Sequence, residues 1–221
     1  TEPWHHAVML INQAGHALAL GDFDTAQQLA DQSLQLHQTT GEKWGMAQVT
    51  HLLCYLAYYQ GRYDEAGSLL MKNEQEYRAV NDPRHIATEV NLRGLIALKQ
   101  EDFATAPTLL VEAFQSRYQL GNLLDISNSL LSLAQLAFAQ ADYERALQLV
   151  GATDTLRARM GTVLSPIEFD SFDFYLRKAK AALSPETIIS VRKVGQRMTF
   201  DEAVAYALPY QSADPHSLVY S

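Results

Sequence analysis

Gly21-Asp22-Phe23-Asp24-Thr25-Ala26 is a segment whose pattern returns three more times in this chain of 221 residues. A small or polar residue, then Asp or Arg, then an aromatic residue with an Ala three positions later, is typical of a turn between two helices. A fixed period of this length, about 40 residues, indicates stacked supersecondary units. The later copies are Gly61-Arg62-Tyr63-Asp64-Glu65-Ala66, Glu101-Asp102-Phe103-Ala104-Thr105-Ala106 and Ala141-Asp142-Tyr143-Glu144-Arg145-Ala146.

Other positions keep the same period, and together they predict four helical hairpins over residues 1–161. Gly or Asn recurs where the second helix of each hairpin should end, and both residues tolerate the left-handed backbone of a helix C-terminus. Small residues inside the helices let antiparallel neighbours approach closely, and the aromatic residue of each turn is expected to fill the space between hairpins. The stops are Gly41, Asn81, Gly121 and Gly161; the small residues are Ala14, Cys54, Gly94 and Ala134, then Ala17, Ala57, Ala97 and Ala137, then Ala26, Ala66, Ala106 and Ala146.

Departures from the period also carry information. Pro107 stands early in the second helix of the third hairpin and predicts a local bend or a later helix start. After Gly161 the period stops, and the helix-start signals Ser165-Pro166, Ser184-Pro185 and Thr199 predict three more helices. These helices, within residues 162–208, are expected to cover the apolar end of the hairpin array. Residues 209–221, which contain two prolines, are expected to form an extended tail.

Composition limits the classes of partner. The formal net charge of -8 argues against direct contact with nucleic acid, because binding to a phosphate backbone depends on clustered Lys and Arg. The sequence contains no signal peptide and no apolar run long enough to span a membrane, and Cys54 is the single cysteine. These features favour a cytoplasmic protein. The first residue is Thr1 rather than Met, which suggests a processed protein or a piece of a longer one.

The common motifs of catalytic and metal sites are absent from the sequence. It contains no phosphate-binding Gly-rich loop, no Cys-x-x-Cys and no His-Glu-x-x-His. Cys54 occupies a column that otherwise holds Ala or Gly, so packing is its expected role, and the adjacent His5 and His6 point to different parts of a helix. The carboxylates of Glu168, Asp170 and Asp173 are expected to form a solvated helix face. We therefore expect no enzyme, no cofactor and no metal.

The repeated pattern resembles the tetratricopeptide repeat (TPR), in which a small residue, an Ala three positions later, a Gly-Asp-Tyr/Phe turn and a further Ala recur. The unit here has about 40 residues where the family has about 34. The resemblance covers residues 4–161, although the family's early Trp is missing from most units. It implies an all-α fold, a right-handed TPR-like superhelix of four hairpins with a C-terminal helical cap. Long units of this kind resemble the sensor regions of bacterial transcriptional activators.

The C-terminal third carries a second resemblance. The run from Gly195 to Val204, with Leu156-Arg157, Gly161 and Tyr175 before it, is similar to the end of the TPR region in LuxR-type or AfsR-type regulators and in bacterial signal-transduction ATPases. The family pattern there is Gly-Arg followed by Met or Leu, Ser or Thr and a Glu-Ala pair. Gln196 interrupts the Gly-Arg step here. The resemblance implies that the chain derives from a regulator of this class.

The TPR resemblance also implies a binding groove on the first helix of each hairpin. In that family the inner surface uses positions ten, six, three and two residues before the turn, with a further position one helical turn earlier. Here these positions combine apolar and aromatic anchors with neutral hydrogen-bonding groups, which suits a peptide or a small ligand. The predicted groove residues are Gln48, His51, Tyr55, Tyr58, Tyr59, Thr88, Asn91, Leu95, Leu98, Lys99, Asn128, Leu131, Gln135 and Phe138.

The sequence therefore predicts a non-enzymatic module that binds a protein segment, a peptide or a small effector, as the sensor or partner-docking region of a bacterial transcriptional regulator. Only Lys99 and Asn91 would suit a carboxylate clamp, so a clamp is not expected. One alternative is that some groove side chains pack against the next hairpin or against the C-terminal helices. Another is a structural scaffold in which the repeats mediate homo-oligomerisation.

Overall fold

The computed structural model describes residues 2–79 and 81–208, and within these ranges the fold is all-α, with no strand. Successive helices pack as antiparallel pairs, as a helical-repeat fold requires. The predicted all-α class is confirmed. The described helices are α1 (Glu2–Ala19), α2 (Phe23–Thr40), α3 (Lys43–Tyr59), α4 (Tyr63–Ala79), α5 (Pro83–Lys99), α6 (Ala106–Leu120), α7 (Leu123–Ala139), α8 (Tyr143–Met160), α9 (Pro166–Ala182), α10 (Pro185–Gln196) and α11 (Phe200–Ala207).

The predicted turns are confirmed. In each of them, a residue with a left-handed backbone conformation precedes the next helix. Gly41, Asn81, Gly121 and Gly161 all have positive φ, between 53° and 73°. The turn inside each hairpin contains a left-handed residue too, with φ of 80° at Gly21 and 60° at Ala141. The next residue often caps the following helix: the carboxylate of Asp22, for example, accepts a hydrogen bond from the backbone N–H of Thr25 at 3.1 Å.

Contacts divide the chain into two compact units. Unit 1 comprises residues 1–120 and 164–174, and unit 2 comprises residues 121–163 and 175–221. In unit 1, α1 pairs with α2, α3 with α4 and α5 with α6, while α3 also packs against α2 and α5. The recurring small residues are buried at these crossings, as predicted; Ala14, Cys54, Ala26, Ala66 and Ala106 are fully inaccessible to solvent.

The third hairpin departs from the others as Pro107 predicted. Helix α6 begins at Ala106, whereas α2, α4 and α8 begin at the aromatic residue three positions earlier in their units. The proline therefore stands at the second position of its helix, where its missing N–H costs no intrahelical hydrogen bond. As a result Phe103 stays in the turn and is 45% exposed, so the expectation that it fills the space between hairpins is wrong.

In unit 2, α8 is the central helix. It pairs with α7 and packs against α10 and α11. A Cβ on Gly195 would lie 1.9 Å from the carbonyl oxygen of Gln148, and one on Gly151 would lie 2.1 Å from that of Arg192. Glycine is thus required on both sides of the α8–α10 contact, because the two backbones touch there.

The three predicted C-terminal helices are present as α9, α10 and α11. The capping box at Thr199 and Glu202 begins α11 as predicted. The division of the chain into repeats at 1–161 and a cap at 162–208 stays a prediction, and the predicted tail at 209–221 lies outside the described residues. No helix in the described part of the chain is both long enough and apolar enough to cross a lipid bilayer.

Candidate recognition surface

Three predicted groove residues of unit 1 come together at a cleft of about 230 Å³. Tyr58 and Tyr59 are at the end of α3, and Lys99 is at the end of α5. Because the two helices occupy equivalent places in successive hairpins and pack side by side, residues one period apart in sequence become neighbours. The cleft, which we call the tyrosine cleft, is lined by Tyr58, Tyr59, Tyr63, Lys99, Ile167, Asp170, Ser171 and Phe174.

The other wall of the tyrosine cleft comes from the first half of α9. Ser165 begins this helix with a capping box, in which the Glu168 carboxylate accepts hydrogen bonds at 2.8 Å from both the backbone N–H and the hydroxyl of Ser165. The Lys99 ammonium lies 5.3 Å from the centre of the Phe174 ring, within the range of a cation–π interaction. A positive charge from the repeats thus meets an aromatic ring from α9.

The phenols near the cleft are neutral hydrogen-bonding groups rather than bases. Burial raises the pKa of Tyr55 to about 12, with Arg117 opposing and Glu89 and Glu168 adding to the rise. The pKa of Tyr59 is raised mainly by burial and further by Tyr55 and Glu168. Each phenol therefore keeps its proton at neutral pH and can donate a hydrogen bond to a ligand.

A buried polar cluster below the tyrosines joins α3, α4 and α5. The Glu89 carboxylate, which is fully inaccessible to solvent, accepts hydrogen bonds from Nδ1 of His51 at 2.8 Å and from the side-chain amide of Asn73 at 2.9 Å. Its second oxygen, Oε2, has no hydrogen-bond partner. Since the alternative to these bonds is an uncompensated buried carboxylate, the cluster holds α3 and α5 in one register.

His85 extends this cluster and has a defined tautomer. The amide nitrogen of Gln48 lies 2.8 Å from Nε2 of His85, and an amide N–H₂ can only donate, so Nε2 accepts. Nδ1 therefore carries the proton and donates a hydrogen bond to the Asp82 carboxylate at 2.6 Å. The His85 ring also stacks on Tyr77, at 4.6 Å between ring centres. Gln48 and His51, both predicted as groove residues, are thus bonded to their own neighbours in the fold.

The remaining predicted residues of unit 1 fall into two groups. Asn91, Leu95 and Leu98 are buried on α5, and Oδ1 of Asn91 has no hydrogen-bond partner. Tyr55 and Thr88 are half-buried, and the Thr88 hydroxyl donates to the Arg84 carbonyl at 3.0 Å within its own helix. The structure therefore gathers Tyr58, Tyr59 and Lys99 at the cleft, while Asn91, Leu95 and Leu98 are in the interior.

In unit 2 the predicted residues lie on α7. Leu131, Gln135 and Phe138 are buried. The Phe138 ring stacks on Tyr175 at 6.3 Å between ring centres. The Asn128 side-chain oxygen accepts a hydrogen bond from the buried guanidinium of Arg157, which also donates to Ser127. These positions serve packing within unit 2.

Packing of groove residues against the C-terminal helices was left open by the sequence, but the α9 residues that line the cleft were not identified. Ile167, Asp170, Ser171 and Phe174 lie beyond the last repeat, so the period gives them no counterpart. The available signal was their spacing of i, i+3, i+4 and i+7, which puts them on one helix face. Tyr63 was predicted to fill the space between hairpins and was not included among the groove residues, although it also reaches the cleft.

Cys54 does not have the properties of a reactive thiol. Cys54 is buried, and burial raises the pKa of its thiol, with nearby Glu89 adding to the rise. The thiol is therefore protonated at neutral pH and packs as a small apolar group, as its column predicted. Within the described residues no group of three or more His, Cys, Asp or Glu side chains is arranged to hold a metal ion.

Comparisons of this chain with protein-family models, with curated proteins and with solved structures found no significant match. The resemblance to tetratricopeptide repeats consequently rests on the residues that repeat with a constant period along the chain.

Proposed function

We propose that this chain is a non-enzymatic recognition module that binds a protein segment, a peptide or a small effector at the tyrosine cleft. In this proposal the four helix pairs follow the right-handed superhelix of tetratricopeptide repeats. The chain would serve in the cytoplasm as the sensor or partner-docking region of a bacterial transcriptional regulator, with any contact to nucleic acid made elsewhere. The regulator assignment is supported by the resemblance of residues 195–204 to the end of such regions.

The observation that carries the proposal is the composition of the cleft walls. Aromatic rings supply apolar contact area at low conformational cost, while the Lys99 ammonium, the Asp170 carboxylate and the phenol hydroxyls supply orientation. A volume of about 230 Å³ lies below the range of drug-sized pockets, so it accommodates a few side chains of a larger ligand or one small molecule.

Site-specific photocrosslinking tests the proposal. Tyr63, half-buried at the cleft, is replaced by the photoreactive residue p-benzoylphenylalanine in cells that produce the chain. We expect discrete crosslinked products that weaken when Lys99→Ala is added. The matched control carries the same residue in place of Tyr118, which is on α6 outside the cleft and 39% exposed.

The masses of the products decide between the alternatives. A product with a different protein, or a bound small molecule, from Tyr63 and not from Tyr118 supports recognition at the cleft. A product formed only with a second copy of this chain would replace the proposal with the scaffold function. Equal labelling from both positions, or no product from either, would contradict recognition at this site.

A further inference from the structure

We propose that the tyrosine cleft receives an amphipathic helix of a partner protein, and that the first half of α9 is the internal segment that such a helix replaces. This inference rests on the proposed function and adds the kind of partner. Residues 164–174 belong to unit 1 by their contacts, although they follow the last repeat in sequence. A segment from outside the repeats therefore covers the face predicted to bind a partner.

Helix α9 presents to the cleft the side-chain pattern of an amphipathic helix. Ile167, Asp170, Ser171 and Phe174 follow the i, i+3, i+4 and i+7 spacing by which an amphipathic helix enters a groove. An apolar anchor stands at each end of this face, and the acid and the hydroxyl lie between. The repeats already contact one helix with this pattern of side chains at the cleft. A partner helix with the same pattern could therefore bind the same surface.

The first half of α9 fills the cleft incompletely. A cleft of about 230 Å³ stays open to solvent beside the α9 residues, so this face of α9 is not packed against the repeats over its whole area. Phe174 is 46% exposed although it anchors this face. A helix with a larger apolar residue at either anchor would bury more surface than α9 does, which gives a partner a way to compete.

The backbone of α9 makes little close contact with its neighbours. The paired helices of both units pack along their length, whereas α9 has no backbone contact of that extent with another described helix. Bulky side chains, among them Tyr59 and Phe174, line the cleft between α9 and the repeats. No backbone crossing of the kind seen between α8 and α10 fastens the first half of α9 to the repeats.

Competition between the two helices follows from this arrangement. A tethered segment has an effective concentration of about a millimolar, so α9 lowers the apparent affinity for any helix added in solution. The chemistry of the partner helix is set by the same contacts: an aliphatic and an aromatic anchor two helical turns apart, with an acidic residue between them near Lys99.

The test uses a fluorescent synthetic peptide with the sequence of residues 163–178 and the full 221-residue chain. We expect the double variant Ile167→Ser/Phe174→Ser to bind this peptide about tenfold more tightly than the wild type, because the resident helix no longer competes. Adding Tyr59→Ser and Lys99→Ala should return binding to the wild-type level. The matched control Phe169→Ser changes an exposed aromatic residue of α9 outside the cleft and should leave the affinity unchanged.

Equal affinity of the wild type and the double variant for the peptide, with unchanged circular dichroism, would overturn the inference. Hydrogen exchange on the wild-type chain tests it without any substitution. We expect the amides of residues 168–174 to exchange about tenfold faster than those of α3 and α5, as a separately opening segment does. Equal protection of the three segments would overturn the inference even if the variant fails to fold. If Tyr63 still captures a partner in cells, recognition at the cleft stands and only the helix assignment is lost.

Discussion

At the scale of single residues, the fold depends on a few glycines at positions where no side chain would fit. No side chain fits at Gly195 or Gly151, because a Cβ there would overlap a backbone carbonyl across the α8–α10 contact. Gly45 is a third: a Cβ there would lie 2.2 Å from the buried ring of His37. Each of these glycines allows a neighbour to occupy the space that its own side chain would take.

We expect Gly195→Ala to destabilise the protein by about 1–3 kcal/mol, since the added methyl group forces α10 away from α8. Urea unfolding followed by far-UV circular dichroism measures the change. Gly67→Ala is the matched control, because Gly67 is within α4 with open space around its Cβ position. This control should be stabilising by about 0.5–1 kcal/mol, and similar behaviour of the two variants would contradict the packing account.

His37 predicts how stability depends on pH. Burial lowers the pKa of His37 below its ordinary value of 6.5, while nearby Glu42 opposes the shift. The unfolded chain therefore takes up a proton at this residue before the folded chain does. Stability should be fully present above pH 6.5 and should fall as the pH decreases from 6.5 toward the folded pKa.

Urea unfolding at a series of pH values checks this prediction. The variant His37→Phe, which retains a ring but cannot titrate, should flatten the decrease below pH 6.5. His16→Phe, at an exposed position of α1, should keep the wild-type dependence. An unchanged slope in His37→Phe would assign the acid sensitivity to other groups.

At the scale of helices and turns, a two-part signal recurs along the repeats: a left-handed residue followed by a cap. Hydrogen bonds of matching geometry close the turns, such as that from the Asp22 N–H to the Ala17 carbonyl at 2.9 Å and that from the Asp142 N–H to the Ala137 carbonyl at 2.9 Å. Three turns carry a residue with a Cβ at the left-handed position: Asn81 with φ of 53°, and Glu101 and Ala141 with φ of 60° each. These turns are less favourable than those with glycine.

Ala141→Gly should therefore stabilise the chain by about 0.5–1 kcal/mol, because relief of the left-handed strain exceeds the added freedom of the unfolded chain. The midpoint of urea unfolding measures the gain. The same change at Ala205, inside α11 and exposed, should instead cost about 1 kcal/mol. A loss of stability in Ala141→Gly would show that this turn gains nothing from glycine.

At the scale of the whole molecule, charge governs which partners the chain attracts. The formal net charge of -8 repels a phosphate backbone over distances longer than any single contact. We expect no saturable binding of a fluorescent DNA duplex at physiological salt, measured by fluorescence anisotropy. Saturable binding with a steep salt dependence would contradict the expectation that this chain makes no direct contact with nucleic acid.

The oligomeric state distinguishes the proposed recognition function from the alternative of a structural scaffold. If the chain is a recognition module, its mass from light scattering should stay that of one chain across a range of protein concentrations. After removal of residues 209–221, the mass should be that of one shortened chain. A mass that rises with concentration in the full chain and not in the shortened chain would favour self-association through the tail.

The sequence alone determined the helices, the turns and the buried small residues, because each of these depends on local chemistry. Left-handed Gly and Asn residues, Asp caps and Ser-Pro helix starts act over short stretches of chain, and the repeat period supported the turn signals several times over. The later start of α6 also followed from local chemistry, because the ring of Pro107 is tolerated only in the first turn of a helix. Tyr58, Tyr59 and Lys99, which line the cleft, were named as groove residues from the resemblance to tetratricopeptide repeats rather than from local chemistry.

Only the tertiary structure decided which of the predicted groove residues border open space. Burial of Asn91 and Leu95, and the bonding of His51 to Glu89, depend on side chains from other helices that no local pattern specifies. The placement of Ile167 and Phe174 opposite Tyr59 likewise follows from a long-range contact made after the repeats end. A contact of this kind is set by how the whole of unit 1 packs, and for that reason the sequence period carries no trace of it.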